Sequence, residues 1–305
     1  MVEQRSRAAV DVRRLVETRV HEPDAVATSF AARVRRPLVG PSGRLMIIAA
    51  DHPARGALRA GERPHAMADR ADLLARLVVA LERPGVDGVL AAPDVVEDLL
   101  LLRALDRKVV LGSMNRGGLP GTVFEVDDRF TAYDPRGLAR SGLDGGKMLL
   151  RLDPQDPATA RTLESCAQAV TALAERGLVA MVEPFMSRRV DGRLGNDLSA
   201  DAVVSSAVVA AGLGTTSAHT WLKLPVVSEP GGMERVAAAT TLPVVLLGGE
   251  VPGDPDESYA QWEKALALPT VRGLVVGRSL LYPPDDDVAA AVDTAVGLLP
   301  AESAS

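Results

Sequence analysis

Three short apolar segments of the sequence each contain one ionisable side chain where a buried strand would have none. Lys147 lies in GGKMLLRLD, Glu183 in VAMVEPF and Lys223 in TWLKLPVV. A lysine in such surroundings is rarely buried without a partner. Burial and a neighbouring cation both favour the neutral amine of a lysine, which can attack a ketone carbonyl and form a Schiff base. The pattern therefore predicts Lys223 as a nucleophile and Lys147 as the cation beside it.

Two other interpretations of Lys223 involve no catalysis. The side chain could extend its amine to solvent at the end of a strand, or it could form a structural ion pair with Glu183. The order of the three segments favours the catalytic interpretation. Lys147, Glu183 and Lys223 fall in successive segments, and the carboxyl ends of successive parallel strands meet at one mouth of a barrel.

The elements that must position these residues follow from the hydrophobic pattern. Short apolar runs alternate with segments of helical periodicity, which is typical of repeated β–α units with a parallel sheet. The predicted strands are Leu45–Ala50, Gly88–Ala92, Lys108–Ser113, Lys147–Leu152, Val179–Pro184, Thr220–Pro225, Pro243–Gly248 and Gly273–Gly277. Helices are predicted between them, including Asp69–Leu81 and Pro157–Glu175. Eight strands favour a closed (β/α)8 TIM barrel, with an open doubly wound sheet as the alternative.

The length of 305 residues suits one such barrel with extensions. Residues 1–43 precede the first strand, and their periodic apolar positions predict an N-terminal helical extension. Residues 44–300 are predicted to form the barrel, and residues 301–305 a disordered tail.

Composition and charge exclude several functions. The net charge of −6 is spread without basic blocks, which argues against nucleic-acid binding. No apolar run approaches the length of a membrane span, and the N-terminus lacks the apolar core of a signal peptide. A single cysteine, Cys166, cannot form an intrachain disulfide, so a cytoplasmic location is predicted.

Cofactor and metal signatures are missing from the sequence. Its four histidines are not grouped with carboxylates or cysteines in a zinc-binding pattern. The first predicted strand is not followed by G-x-G-x-x-G, and no Walker A motif is found. The sequence therefore predicts an enzyme with neither a cofactor nor a metal ion.

The runs AADHPARGAL, GGKMLLRLD, VAMVEP and TWLKLP, in this order, resemble the class I tagatose-bisphosphate aldolases and the related DhnA-type fructose-bisphosphate aldolases. The resemblance spans residues 44–285. It implies that Asp51 is the acidic residue after the first strand, Lys147 the lysine of strand four, Glu183 the proton shuttle and Lys223 the Schiff-base lysine. The implied reaction is cleavage of a phosphorylated ketose to dihydroxyacetone phosphate and an aldehyde.

Phosphate binding is expected in the loops after strands seven and eight, where backbone amides often hold a phosphate. Gly248, Gly249, Gly277 and Arg278 lie there, and the guanidinium fork of Arg278 suits phosphate oxygens. Glycines at strand ends are also ordinary turn residues, which is the alternative interpretation of this pattern.

Two loops depart from the family pattern. The first strand continues into DHPARG, which is longer than the Asp-His-Gly form of the family, and His52 in this segment is predicted to polarise a substrate hydroxyl. The third strand continues into SMNRGG. Its Arg116 is predicted to bind a carboxylate or a second phosphate at the far end of the substrate, with a solvated loop arginine as the alternative.

The predicted partner is a small sugar phosphate, and fructose bisphosphate, tagatose bisphosphate and 2-deoxy-5-keto-gluconate 6-phosphate all remain candidates. A deoxyribose-phosphate aldolase or another Schiff-base synthase is an alternative within the same chemistry. An alternative of another class is a sugar-phosphate-binding barrel without catalysis. The sequence does not decide whether cleavage or synthesis is the physiological direction. Ala-rich helices predict a homo-oligomer.

Overall fold

The computed structural model describes residues 10–249, 251 and 254–299. Its strands are β1 (Leu45–Ala50), β2 (Gly88–Ala91), β3 (Val109–Ser113), β4 (Gly145–Leu152), β5 (Val179–Val190), β6 (Arg193–Asp197), β7 (Thr220–Leu224), β8 (Val244–Leu247) and β9 (Val271–Val276). Its helices are α1 (Val12–His21), α2 (Ala25–Ala32), α3 (Arg70–Glu82), α4 (Pro93–Leu101), α5 (Pro135–Arg140), α6 (Ala158–Ala174), α7 (Ala200–Ala211), α8 (Gly232–Ala238), α9 (Pro255–Leu266), α10 (Arg278–Leu281) and α11 (Val288–Gly297).

Every strand except β6 belongs to a closed parallel barrel, which confirms the predicted (β/α)8 fold. Neighbours follow the chain order from β1 to β9, β4 pairs with β5, and β9 pairs with β1 to close the ring. Helices α1 and α2 precede β1 and form the predicted helical extension. The proposed tail at residues 301–305 lies outside the described residues. None of the helices in the described ranges is both long and apolar enough to cross a bilayer.

The predicted helices agree closely with the structure because their ends carry ordinary capping signals. Asp69 is the N-cap of α3, and its side chain accepts a hydrogen bond from the backbone N–H of Asp72 at 3.0 Å. The predicted helix at 157–175 is α6, with Pro157 and Glu175 as its flanking caps. The alternation of strand and helix was therefore readable from local sequence.

The β5–β6 hairpin was missed. Strand β5 continues six residues beyond the predicted end at Pro184 and pairs with antiparallel β6. The connecting Asp191 and Gly192 both have positive φ, of 51° and 76°, as a tight two-residue hairpin turn requires. Residues 188–197 of the hairpin are exposed or half-buried and show no apolar alternation, so only the Asp-Gly pair indicated the hairpin.

Strand residues alternate between two apolar layers. The barrel interior contains Leu45, Ile47, Ala49, Leu90, Val109, Leu111, Val179, Met181, Val245 and Val275. The intervening residues, such as Met46 and Ile48, pack outward against the helices. Because both faces are buried, the strands read as continuous apolar runs. This alternation decides which side chains reach the barrel mouth.

Buried ion pairs anchor the long loop that follows β3. Arg55, in the short 3-10 turn after β1, donates to the carbonyls of Gly118 and Asn115 at 2.7 Å each. Its Nη1 also lies 2.6 Å from Asp128 Oδ2. The other oxygen of Asp128 accepts from the N–H of Gly118 at 2.9 Å. One arginine therefore holds both ends of the loop segment 115–128 against the barrel.

Replacing Arg55 with Met should destabilise the fold by about 3–5 kcal/mol, because Asp128 is left buried without its cation. Urea denaturation would measure the loss. Arg59→Met is the matched control, since Arg59 is exposed and its hydrogen bond to the carbonyl of Gly61 is long, at 3.4 Å. A loss below about 1 kcal/mol for Arg55→Met would show that the loop is held by other contacts.

Candidate active site

The barrel mouth carries a cavity of about 500 Å³ whose floor is made by strand residues that face inward. Every second residue of a barrel strand points into the barrel. Asp51 therefore faces inward after Ile47 and Ala49, and Glu183 does so after Val179 and Met181. Lys147 on β4 and Lys223 on β7 also face inward. The cavity lining includes every residue predicted for the site, namely Asp51, His52, Arg116, Lys147, Glu183, Lys223, Gly248, Gly249, Gly277 and Arg278. The fold thus brings together side chains that are far apart in sequence.

Glu183 lies between the two lysines. Lys223 Nζ is 2.8 Å from Glu183 Oε1, and Lys147 Nζ forms an ion pair with Glu183 Oε2. All three side chains are at least nine-tenths buried. The two lysines therefore share one carboxylate, with one lysine on each oxygen.

Asp51 is the second carboxylate of the cluster. Its Oδ2 lies 3.1 Å from Lys147 Nζ and 3.2 Å from Arg116 Nη2, and it accepts a hydrogen bond from Ser113 Oγ at 3.0 Å. Lys147 thus bridges Asp51 and Glu183, while the ion pair of Lys223 within the described residues is with Glu183. The two lysines have different surroundings although they share a partner.

Both carboxylates are ionised at neutral pH. Burial alone would raise the pKa of Glu183, but Lys147 and Lys223 outweigh it and lower that pKa to about 2. Burial likewise opposes ionisation of Asp51, whose pKa the cations Lys147 and Arg116 hold well below its usual value. Burial lowers the pKa of Lys147 in spite of the two carboxylates beside it. The floor of the cavity therefore consists of carboxylates and cations that alternate in space and are paired with one another.

His52 lies at the rim of this network. Its buried Nδ1 has no hydrogen-bond partner among the described residues and lies 3.8 Å from Asp51 Oδ1. Burial lowers the pKa of His52 to about 3, and the nearby cations Arg278 and Lys223 act in the same direction. A neutral imidazole next to the cavity can exchange hydrogen bonds with a substrate hydroxyl at physiological pH.

We expect the imidazole of His52 to stay neutral from pH 8 to about pH 5, whereas an unperturbed histidine titrates near 6.5. The chain has three other histidines for comparison, His21, His65 and His219. Imidazole nitrogen shifts measured by NMR would report the titrations, and a His52→Gln variant would assign the signal. A midpoint for His52 above about pH 6 would contradict the expectation.

The predicted phosphate residues lie together after β8 and β9. Gly249 has a positive φ of 64°, and its carbonyl accepts a hydrogen bond from Arg278 Nη2 at 3.1 Å. A Cβ on Gly277 would lie 2.1 Å from the carbonyl oxygen of Ala49, so only glycine fits that position. Gly248, Gly249, Gly277 and the guanidinium of Arg278 thus border one side of the cavity.

Arg116, which was predicted to bind a carboxylate or a second phosphate of the substrate, lines the cavity and is surrounded by protein oxygens. Its Nε donates to the carbonyl of Asn115 at 2.7 Å, its Nη1 donates to the carbonyl of Asp51 at 2.8 Å, and its Nη2 pairs with the Asp51 carboxylate. The alternative of a solvated loop arginine is wrong, because Arg116 is only 7% exposed. Each nitrogen of its guanidinium already faces a protein oxygen.

Several residues in or behind the cavity wall were not predicted. Ser113, which donates a hydrogen bond to Asp51, is on the same face of β3 as Val109 and Leu111. Its inward direction could therefore have been predicted, because every second residue of a strand points to the same side. Arg151 lines the cavity because it lies on the same face of β4 as Lys147 and Leu149. The further lining residues from the missed hairpin region are Phe185, Asn196 and Leu198. No sequence signal placed the hairpin over the mouth.

A search of the described residues for three or more His, Cys, Asp or Glu side chains placed to hold a metal ion finds no such group. Asp51 and Glu183, the two carboxylates of the floor, are each occupied by protein cations.

Comparison with known proteins gives a family and a fold. The model of the Cgl0159-like family matches residues 43–296. The crystal structure of Cgl0159 from Corynebacterium glutamicum (Brevibacterium flavum) is 54% identical in sequence, with a TM-score of 0.91 over 94% of this chain and 96% of that one. No curated protein matches the chain.

Two aldolase structures share the fold at low identity. A Schiff-base-forming fructose-1,6-bisphosphate aldolase has 17% identity and a TM-score of 0.65, over 90% of this chain and 100% of that one. An archaeal fructose-1,6-bisphosphate aldolase, with its catalytic Lys covalently bound to the carbinolamine intermediate of the substrate, has 17% identity and a TM-score of 0.65, over 90% and 99%. The structural neighbours therefore include class I aldolases.

Proposed function

The chain belongs to the Cgl0159-like family, and we propose that it is a class I aldolase that cleaves a phosphorylated ketose through a Schiff base on Lys223. The observation that carries the proposal is the buried contact of Lys223 Nζ with Glu183 Oε1, at 2.8 Å, on the floor of a cavity open to small molecules. A structural ion pair would not need a cavity beside it. The alternative of a lysine that reaches solvent from a strand end does not fit a side chain that is 4% exposed.

In the proposed reaction, Glu183 accepts the ammonium proton of Lys223 as the ketose binds. The amine of Lys223 attacks C2, and loss of water from the carbinolamine gives an iminium ion. A carboxylate takes the proton of the C4 hydroxyl, the C3–C4 bond breaks, and its electron pair moves into the iminium to form an enamine. The aldehyde leaves, C3 of the enamine is protonated, and water releases dihydroxyacetone phosphate.

Glu183 is better placed than Asp51 for the proton transfers. Its Oε1 already contacts the nucleophilic nitrogen, so atoms bonded to that nitrogen come within its reach. Oδ2 of Asp51 instead contacts Ser113, Lys147 and Arg116, so the geometry places Glu183, and not Asp51, beside the nitrogen that would react. We assign the proton transfers to Glu183 and the positioning of Lys147 to Asp51.

The phosphate of the ketose would lie against Gly248, Gly249, Gly277 and Arg278, which border the cavity on the side of β8 and β9. These loops supply backbone N–H groups and one guanidinium. Two aldolases with the same fold support the proposal. One of them forms a Schiff base, and the catalytic Lys of the other is covalently bound to the carbinolamine intermediate of its substrate. The proposed reaction uses no metal ion and no cofactor, and the proposed setting is the cytoplasm, where a lone cysteine stays reduced. We also propose that the protein is a homo-oligomer.

The direct test is covalent trapping. The protein is incubated with dihydroxyacetone phosphate and borohydride, and the adduct is mapped by peptide mass spectrometry. The chain has only four lysines, Lys108, Lys147, Lys223 and Lys264, so the other three serve as internal controls. An adduct confined to Lys223 is expected. No adduct with any ketose phosphate, or activity lost on chelation and restored by a divalent metal, would contradict the mechanism.

A further inference from the structure

We infer that the aldehyde half of the substrate carries no phosphate group, so that the substrate is a ketose with a single phosphate. The inference rests on the proposed function and concerns one part of the cavity. In the ring of barrel strands, β3 and β4 lie opposite β8 and β9, which carry the proposed phosphate loops. We call this opposite side the acceptor wall. Its lining residues are Arg116, Pro120, Leu149, Arg151, Phe185 and Leu198.

The arginines of the acceptor wall are already neutralised by carboxylates of the protein. Arg151 Nη2 lies 3.2 Å from Glu125 Oε1, and its Nη1 donates to the carbonyl of Glu125 at 3.1 Å. Nε and Nη1 of Arg116 donate to the carbonyls of Asn115 and Asp51, and its Nη2 forms an ion pair with the Asp51 carboxylate at 3.2 Å. Behind them, Arg55 is held by Asp128.

These pairs would have to break before a second phosphate could bind. Releasing Arg151 leaves Glu125 buried without its cation, and releasing Arg116 removes a cation from Asp51. Breaking a buried pair by taking away one partner is strongly destabilising. A phosphate dianion at this wall would also lie next to the carboxylates that now hold the arginines, and like charges repel.

Apart from Asn196, whose Oδ1 accepts a hydrogen bond from Ser187 Oγ at 2.9 Å, the remaining surface on this side of the cavity is apolar. Leu149 and Phe185 face inward from β4 and β5, Pro120 comes from the loop after β3, and Leu198 from the segment after β6. A phosphate placed against these carbon atoms would lose water without gaining hydrogen-bond donors, which is costly. A short aldehyde without phosphate fits the same surface with little desolvation cost.

The charge of the floor is consistent with one phosphate. Two carboxylates, Asp51 and Glu183, face three cations, Arg116, Lys147 and the iminium that would form on Lys223, which leaves one positive charge in excess. His52 adds none, because its pKa is about 3. A bisphosphate would bring two dianions to a floor with that small excess.

The test compares aldehydes in the synthesis direction, with dihydroxyacetone phosphate as donor. We expect kcat/KM for D-glyceraldehyde to exceed that for D-glyceraldehyde 3-phosphate by at least about tenfold, since the arginines that the second phosphate would meet are already paired with carboxylates of the protein. An equal or higher kcat/KM for the phosphorylated aldehyde would overturn the inference. The two proposals fail differently: absence of a borohydride adduct with the donor alone contradicts the aldolase, whereas an adduct with preference for the phosphorylated aldehyde contradicts only the single phosphate.

A gain-of-function variant makes the test sharper. Leu198 lines the acceptor wall and is 52% exposed, so it tolerates substitution. Leu198→Lys adds a cation there and should raise kcat/KM for the phosphorylated aldehyde, relative to the plain one, by about three- to tenfold, with a smaller gain at high salt. Leu198→Gln, similar in size but uncharged, should leave the ratio within about twofold. Equal ratios in the two variants would show that the aldehyde does not reach this wall and would overturn the inference.

Discussion

Lys223→Met is expected to lower the turnover of ketose phosphate cleavage by at least about 10⁴-fold and to abolish borohydride trapping. Methionine keeps the length of the side chain but lacks the nucleophile, and loss of a covalent catalytic group has effects of this order. The fold should persist, because Glu183 keeps its ion pair with Lys147. Turnover is measured by coupled assay of dihydroxyacetone phosphate release, and folding by circular dichroism and urea denaturation.

Two controls accompany this variant. Lys264→Met removes an exposed lysine of α9 and should change nothing. Lys147→Met removes the lysine that bridges Asp51 and Glu183, and it should reduce turnover while any adduct still maps to Lys223. Turnover of Lys223→Met within tenfold of the unchanged protein would show that another group is the nucleophile. An adduct on Lys147 in the unchanged protein would reverse the roles of the two lysines.

Glu183→Gln is expected to lower turnover by about 10²- to 10⁴-fold, the range for loss of a general acid–base group. Glutamine can still accept a hydrogen bond from Lys223 but cannot carry the proton. Slow trapping of dihydroxyacetone phosphate on Lys223 should therefore survive while C–C cleavage does not. Glu263→Gln on the exposed side of α9 is the matched control. Equal losses of trapping and turnover would indicate that Glu183 only positions Lys223.

The same variant tests the ionisation of Glu183. Its pKa is lowered from an ordinary value of 4.5 to about 2 in the folded protein, so its carboxylate stabilises the fold above pH 4.5. That contribution is lost as the pH falls from 4.5 towards 2, because the unfolded chain then binds a proton that the folded chain resists. The free energy of unfolding should thus fall less steeply over this interval in Glu183→Gln than in the unchanged protein. Parallel slopes in urea denaturation would contradict the lowered pKa.

Much of the site was predictable because strands place side chains by local alternation. Three charged residues, Lys147, Glu183 and Lys223, each stand alone in an apolar run that must be buried. Because strand side chains alternate between two faces, all three are expected to point into the barrel. Their meeting at one mouth follows from the barrel, in which successive strand ends are neighbours. Asp51 continues the same alternation from β1. None of these inferences requires a distance between atoms of different strands.

The partners of Arg116 could not be predicted in this way. A loop arginine near a strand end is compatible with solvent, substrate or a protein carboxylate, and the choice depends on which backbone oxygens and carboxylates lie within a few ångströms. Arg55 is a stronger example, because its partners Gly118 and Asp128 lie more than sixty residues away in sequence. The β5–β6 hairpin escaped prediction for a related reason: its residues pack over a cavity rather than in an apolar layer.

The sequence alone therefore determined the barrel, its strand order and the inward direction of the charged residues, since these depend on hydrophobic periodicity and chain connectivity. Only the tertiary structure decided how those charges pair. It put Lys147 between Asp51 and Glu183 and Lys223 beside Glu183, and it paired the arginines opposite the loops after β8 and β9 with protein carboxylates. Ion pairing depends on distances of a few ångströms between atoms from different strands and loops, and these distances cannot be predicted from the periodicity of the sequence.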